Sequence, residues 1–173
     1  MNSLVALSAS IALLGGVATF LAVGPLAGIF LIWAATIAWA AYFAFGGTKE
    51  ALKNTIVCGS FGTAMAWLAA LEITTIPADA PFSLMAAIAV ALSVFVMCLA
   101  AKIPALATIP ASVLGYSATF AYLLQTPDKL SQSNLLHISL SNPLLLIPVS
   151  FVVGGFFGLW SAQLSAKFEQ YGK

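Results

Sequence analysis

The stretch Lys102–Gln125 reads KIPALATIPASVLGYSATFAYLLQ, an apolar segment opened by Pro104 and interrupted again by Pro110. Its second half, Ser117-Ala118-Thr119-Phe120-Ala121, has an echo 77 positions earlier in Ala40-Ala41-Tyr42-Phe43-Ala44. That echo also follows a proline, Pro25, and a long apolar run. Two questions follow: whether such segments cross a membrane, and whether they are copies of each other.

Composition answers the first. Hydrophobic residues make up 62% of the 173 and charged residues only 6%, with a mean hydropathy of +1.07. Soluble domains carry about 25% charged residues, so this chain cannot clothe its surface for water and its solvent is lipid. Met1–Thr48 contains no charged side chain, and neither do residues 54–71, 80–101, 103–127 and 130–166. A membrane helix needs about 20 apolar residues. The first run therefore holds two spans and each of the others one, giving six. The continuous Ala- and Leu-rich runs exclude a transmembrane β-barrel, whose strands alternate in polarity. A cleaved signal peptide is disfavoured because no Lys or Arg precedes Lys49.

Taken in order, span one runs Ser3–Val23, and Gly24-Pro25 is read as a tight turn into span two, which ends near Phe45. A loop carrying Lys49, Glu50 and Lys53 leads to span three, Asn54–Leu71. Pro77, Asp79 and Pro81 mark the next loop, before span four at Phe82–Ala101 and span five at Ala105–Leu124. The longest loop, Gln125–Asn142, holds Asp128, Lys129 and the single histidine, His137. Asn142-Pro143 suits a helix start, since Asn caps free N–H groups and Pro fits the first turn. With the N-terminus inside, Lys49, Lys53, Lys102, Lys167 and Lys173 face the cytoplasm and Lys129 alone faces out. This positive-inside bias places both termini of a multi-pass membrane protein in the cytoplasm.

The echo extends along the whole chain. Ser3, Leu4 and Ala6 match Ser83, Leu84 and Ala86; Pro25 matches Pro104; Trp39 stands opposite Tyr116. Gly62, Trp67, Ala69 and Leu71 match Gly155, Trp160, Ala162 and Leu164 in identical spacing. Repeats are looked for first because they govern the fold. The expectation is an all-α membrane domain over 1–173, made of two three-helix halves, about 1–78 and 79–173. An odd number of spans per half turns the second upside down, the 3+3 inverted topology of transport folds.

Pro25 to Gly47, the Ala41–Ala44 run, and Ile109-Pro110-Ala111-Ser112 through Phe120-Ala121 carry a resemblance. In these segments the chain resembles the YcdZ-type bacterial inner-membrane proteins, a domain family of unknown function. The resemblance implies a small polytopic inner-membrane protein and supplies no substrate or functional residue.

Chemistry is sparse. No paired carboxylates, His/Cys cluster or phosphate loop appears, so no enzyme activity, metal or cofactor is expected. Cys58 and Cys98 lie in spans without ligand partners, and His137 sits among Ser and Asn as a loop residue. A net charge of +1 without a basic run argues against a nucleic-acid partner. Mid-span charge usually marks proton relays and ion pathways, and here there is none. Hydroxyls and aromatics remain: Ser112, Tyr116, Thr119 and Phe120 share one helical face, and Trp39, Tyr42 and Phe43 another. These seven are the candidate lining of a solute pathway between helices two and five. Gly59, Gly62, Gly154, Gly155 and Gly158 offer smooth faces for close helix packing, within the chain or between protomers. The expected function is a homo-oligomeric channel or facilitator, in the lipid bilayer, for a small neutral or weakly polar solute. The alternative is a non-transporting accessory or assembly protein.

Overall fold

The computed structural model describes residues 2–77 and 79–171. Among these are seven α-helices and no strand: α1 Ser3–Val23, α2 Ile32–Ala44, α3 Lys49–Thr74, α4 Phe82–Leu99, α5 Ile109–Gln125, α6 Gln132–Leu136 and α7 Pro143–Tyr171. Four segments are long and apolar enough to cross a membrane: α1, α3, α7 and α4 with its 3-10 extension to Lys102. The 13 residues of α2 and 17 of α5 extend only about 20 and 26 Å, short of the ~30 Å hydrocarbon core.

The middle of the bundle is α3 and α7. Half of the most apolar window of each is buried, against 17% for α1 and α4. α3 packs most closely on α5, and α7 on α2; α3 and α7 also pack on each other; α1 lies on α7 and α4 on α3. The short helices thus run alongside the long ones, while α1 and α4 turn Leu4, Phe20, Leu92 and Phe95 outward.

Close approach of backbones explains this pairing. A Cβ at Gly62 would collide with the carbonyl of Ser112, one at Gly115 with the carbonyl of Gly59, and one at Gly154 with the carbonyl of Ala35. In lipid there is no hydrophobic force between helices, so association depends on such small-residue contact. Gly155 lies instead against Leu52 and Ile56 of α3, and Gly158 against Tyr42. Spacing pairs Gly62 with Gly155, but packing gives the matching role to Gly154. The partner residues Ala35 and Ser112 stand 77 positions apart, the offset of the echo. A Cβ added at Gly15 or Gly16 of α1 would meet nothing within 4 Å.

Several boundaries depart from expectation. Gly24–Leu31 is not a tight turn into a helix but an eight-residue irregular segment. Span five likewise begins late, after two 3-10 turns at Ala100–Lys102 and Pro104–Leu106. Pro110 sits in the first turn of α5, where its missing N–H frees no helical carbonyl, so it does not kink the span. The proline inside a helix is Pro148 of α7. α3 starts at Lys49, capped by Thr48 Oγ1 accepting from the Ala51 N–H at 3.1 Å, so Lys49, Glu50 and Lys53 extend the helix past its apolar run. α2 ends in a Schellman turn: Gly46 N–H donates to Phe43 O and Gly47 N–H to Tyr42 O, with both glycines at positive φ. Asn142 caps α7, its Oδ1 accepting from Leu144 N–H at 2.9 Å. Lys173, counted among the cytoplasmic lysines, lies outside the described residues.

The Gln125–Asn142 loop folds down onto the bundle. Leu135 of α6 is wholly buried with Ala34, Ala70, Tyr122 and Phe151. Its carbonyl accepts from Trp67 Nε1 and Asn142 Nδ2, both at 2.9 Å, and Tyr122 OH donates to Ser141 O at 2.8 Å.

Gly62→Leu must move backbone rather than a flexible side chain, so it should lower stability by ~3 kcal/mol or more. Gly15→Ala fills open space in a helix and should raise it by about 0.5–1 kcal/mol. Unfolding in mixed micelles measures both, and an undiminished Gly62→Leu protein would refute the backbone contact.

Candidate functional site

Two pairs of features distinguish this bundle: two irregular lead-in segments, and two clefts beside them. Backbone that leaves the helix at membrane depth must find partners in the protein. In the first lead-in, Leu26 N–H donates to Leu21 O at 2.9 Å, Ala27 N–H to Gly24 O at 3.2 Å and Ile29 N–H to Leu26 O at 3.1 Å. Gly28 holds a left-handed φ of 81°. The N–H of Leu31, last before α2, donates to Ser150 Oγ of α7 at 2.9 Å, and Ser150 Oγ donates onward to Leu146 O at 2.7 Å. In the second lead-in, Ile103 N–H donates to Ala100 O and Leu106 N–H to Ile103 O. There Cys58 Sγ of α3 donates to Ala105 O at 3.5 Å. Each lead-in is therefore held by a small polar residue of a long helix, Ser150 of α7 or Cys58 of α3, four residues before that helix's contact glycine.

The clefts open between α1 and α2 and between α4 and α5, pairs that meet only sparsely. The α1–α2 cleft holds about 290 Å³ and is walled by Ile11, Thr36, Trp39, Ala40 and Phe43. The α4–α5 cleft holds about 530 Å³ and is walled by Val90, Tyr116, Ser117, Phe120 and Leu124 among others. Trp39, Ala40 and Phe43 stand 77 positions before Tyr116, Ser117 and Phe120. The polar end of the buried aromatic in each cleft is satisfied by a serine: Trp39 Nε1 donates to Ser161 Oγ at 3.0 Å, and Tyr116 OH lies 2.9 Å from Ser93 Oγ. Ser161 Oγ in turn donates to Gly158 O, and Ser10 Oγ donates to Ser161 O. No charged side chain lines either cleft.

Of the seven residues proposed to line a pathway, four face these clefts: Trp39 and Phe43 the first, Tyr116 and Phe120 the second. The other three are held within helix packing. Tyr42 is 1% exposed, lies against Gly158 and donates its OH to Gly47 O at 2.5 Å. Ser112 is buried at the Gly62 contact, and Thr119 Oγ1 donates to Gly115 O of its own helix at 2.9 Å. His137 is exposed, and its carbonyl accepts from Asn142 Nδ2 at 3.0 Å. Sequence reasoning passed over Ser93, Ser150 and Ser161; a lone serine in an apolar run carries no signal until its neighbour across the bundle is known. Among the described residues, no group of three or more His, Cys, Asp or Glu is placed to hold a metal ion. One buried hydroxyl, Thr55 Oγ1, has no partner among them.

Removing the Ser150 hydroxyl leaves the Leu31 N–H without its acceptor, a loss worth about 1–3 kcal/mol. Ser150→Ala should therefore speed hydrogen exchange at the Leu31 amide, and Ser150→Cys should do so less. Unchanged exchange in Ser150→Ala would show that the lead-in does not depend on this bond.

No curated protein and no solved structure matches the chain. A family model described as "Protein of unknown function (DUF1097)" matches residues 8–166. Spanning nearly the whole chain, that match makes this protein a member of the family.

Proposed function

We propose that this membrane protein is a facilitator for small neutral or weakly polar solutes, built from two inverted three-helix halves that cross the bilayer six times. The observation that carries the proposal is the pair of clefts walled by corresponding residues, Trp39, Ala40 and Phe43 in one half and Tyr116, Ser117 and Phe120 in the other. The packing supports the same relation. α3 on α5 answers α7 on α2, and α4 on α3 answers α1 on α7. The irregular lead-ins supply the remaining depth for the short helices α2 and α5. Discontinuous helices at the junction of inverted repeats are a recurring feature of transporters, where irregular backbone borders the solute site. Uncharged walls suit solutes without formal charge, since a buried ion there would find no counter-charge.

The setting is the bacterial inner membrane, in line with the likeness to the YcdZ-type proteins. Both termini lie in the cytoplasm, on the lysine-rich side of the chain. The exposed apolar faces of α1 and α4 meet lipid or further copies in a homo-oligomer. A second reading, a non-transporting accessory protein, is favoured by the burial of Tyr42, Ser112 and Thr119 in helix packing.

Liposomes containing the purified protein should take up small neutral solutes, such as glycerol, urea or short alcohols, faster than empty vesicles. Ala40 and Ser117 are exposed and wall the two clefts, so Ala40→Trp and Ser117→Trp should fill them without disturbing helix packing. Both should slow uptake several-fold while the protein remains monodisperse. Equal uptake in protein-containing and empty vesicles across the panel would overturn the proposal in favour of the accessory role.

A further inference from the structure

The α4–α5 cleft differs from its counterpart in having a polar mouth. A second hollow of about 530 Å³ adjoins it and shares Ile73, Phe82 and Leu130 with it, while adding Thr74, Ser131 and Gln132. The mouth lies at the end of the bundle that carries the Gln125–Asn142 loop. From there the cleft descends past Phe82 to Val90, two turns of α4 and about 12 Å deeper. At that depth Tyr116 OH and Ser93 Oγ lie 2.9 Å apart, and Ser93 Oγ donates to Val90 O at 3.0 Å. The pair satisfies itself, and Ser117 is the one further hydroxyl in the wall. The throat thus accepts an apolar chain without stranding a hydrogen-bonding group.

The mouth has the opposite character. Gln132 presents an exposed amide, and Thr74 and Ser131 contribute hydroxyls that already donate, to Leu71 O and Asp128 O. The Thr74 hydroxyl keeps lone pairs to accept a hydrogen bond, and the amide both donates and accepts, whereas Ser131 Oγ already accepts from Asn134 N–H at 3.4 Å as the cap of α6 and lies 3.2 Å from Ser133 Oγ. No lysine lines the mouth, and Lys129 in the adjoining loop is accompanied by Asp128. A phosphate there would lack the cation that usually receives it, whereas a neutral hydroxylated head would find both donors and acceptors.

The geometry points to a binding site for a neutral single-chain amphiphile, its hydroxylated head at Thr74 and Gln132 and its chain between α4 and α5 against Val90, Tyr116 and Phe120. The inference takes its place from the cleft described above but does not depend on transport. Binding without flux would leave it standing and remove only the facilitator.

The test is photolabelling of the full-length protein in phosphatidylcholine nanodiscs, using octanoylglycerol with a diazirine at its chain end. Adducts mapped by mass spectrometry should concentrate on residues 82–90 and 116–130 and be displaced by unlabelled octanoylglycerol. Octanoyl lysophosphatidic acid should displace them several-fold less well. Val90→Trp, which fills the throat, should cut these adducts several-fold. Gln132→Ala, at an exposed position that leaves the fold intact, should weaken displacement by octanoylglycerol. Adducts spread evenly over the outer faces of α1 and α4 would mean annular lipid only. That result, or equal displacement by the anionic analogue, or labelling indifferent to both variants, would overturn the site.

Discussion

Lipid removes the force that usually assembles a core, because a leucine face gains nothing by leaving acyl chains for another helix. What remains is contact, and contact is densest where backbones touch. In this protein that happens where Gly62 admits the carbonyl of Ser112 and Gly154 admits that of Ala35. Both accepting carbonyls lie in the first turn or so of a short helix, and both glycines lie near the middle of a long one. The arrangement of α2 against α7 and α5 against α3 follows from these two points. The long central helices then pack on each other, and α1 and α4 are left at the edges with most of their surface outward.

Seating the start of a short helix against a long one has a consequence for the chain that leads into it. It is not α-helical: Gly24–Leu31 is irregular and Ala100–Thr108 carries only two short 3-10 turns. Unpaired peptide groups are costly in this solvent. Local turns take up part of the load, and Ser150 and Cys58 reach across to one further backbone group each, Leu31 N–H and Ala105 O. Close packing, irregular lead-ins and cross-bundle hydroxyl or thiol bonds are thus one arrangement seen at three levels. The clefts arise from the same geometry, since a helix seated deep against its partner stands away from the helix that precedes it.

Much of this was legible in the sequence, and the pattern of success is physical. Charge-free runs of sufficient length located α1, α3, α4 and α7, because hydrocarbon thickness sets their length and charge is expelled from them. The 77-residue echo matched Trp39 to Tyr116 and Phe43 to Phe120, and these are the residues that wall corresponding clefts. Boundaries failed where partners rather than propensity set them. Leu26–Leu31 is as apolar as a helix and is irregular all the same, its amides bonded in local turns and, at Leu31, to Ser150 of α7. The match of Gly62 to Gly155 failed by one residue, since three glycines stand close together in α7 and only packing selects Gly154. Shared faces on a helical wheel grouped Tyr42, Ser112 and Thr119 with the cleft residues. A wheel cannot tell which side of a two-sided helix meets another helix, and these three lie on the packed side.

In the proposed topology α2 and α5, though short, complete passages across the bilayer with the help of their lead-ins. With Cys58 and Cys98 replaced by alanine, single cysteines at Lys49, Asp79 and Asp128 can be tested in intact and opened cells with a membrane-impermeant maleimide. Six crossings predict that positions 79 and 128 react from one side and position 49 from the other. If positions 49 and 128 react from the same side and 79 from the opposite one, α2 and α5 do not cross, and the account of two inverted halves is contradicted.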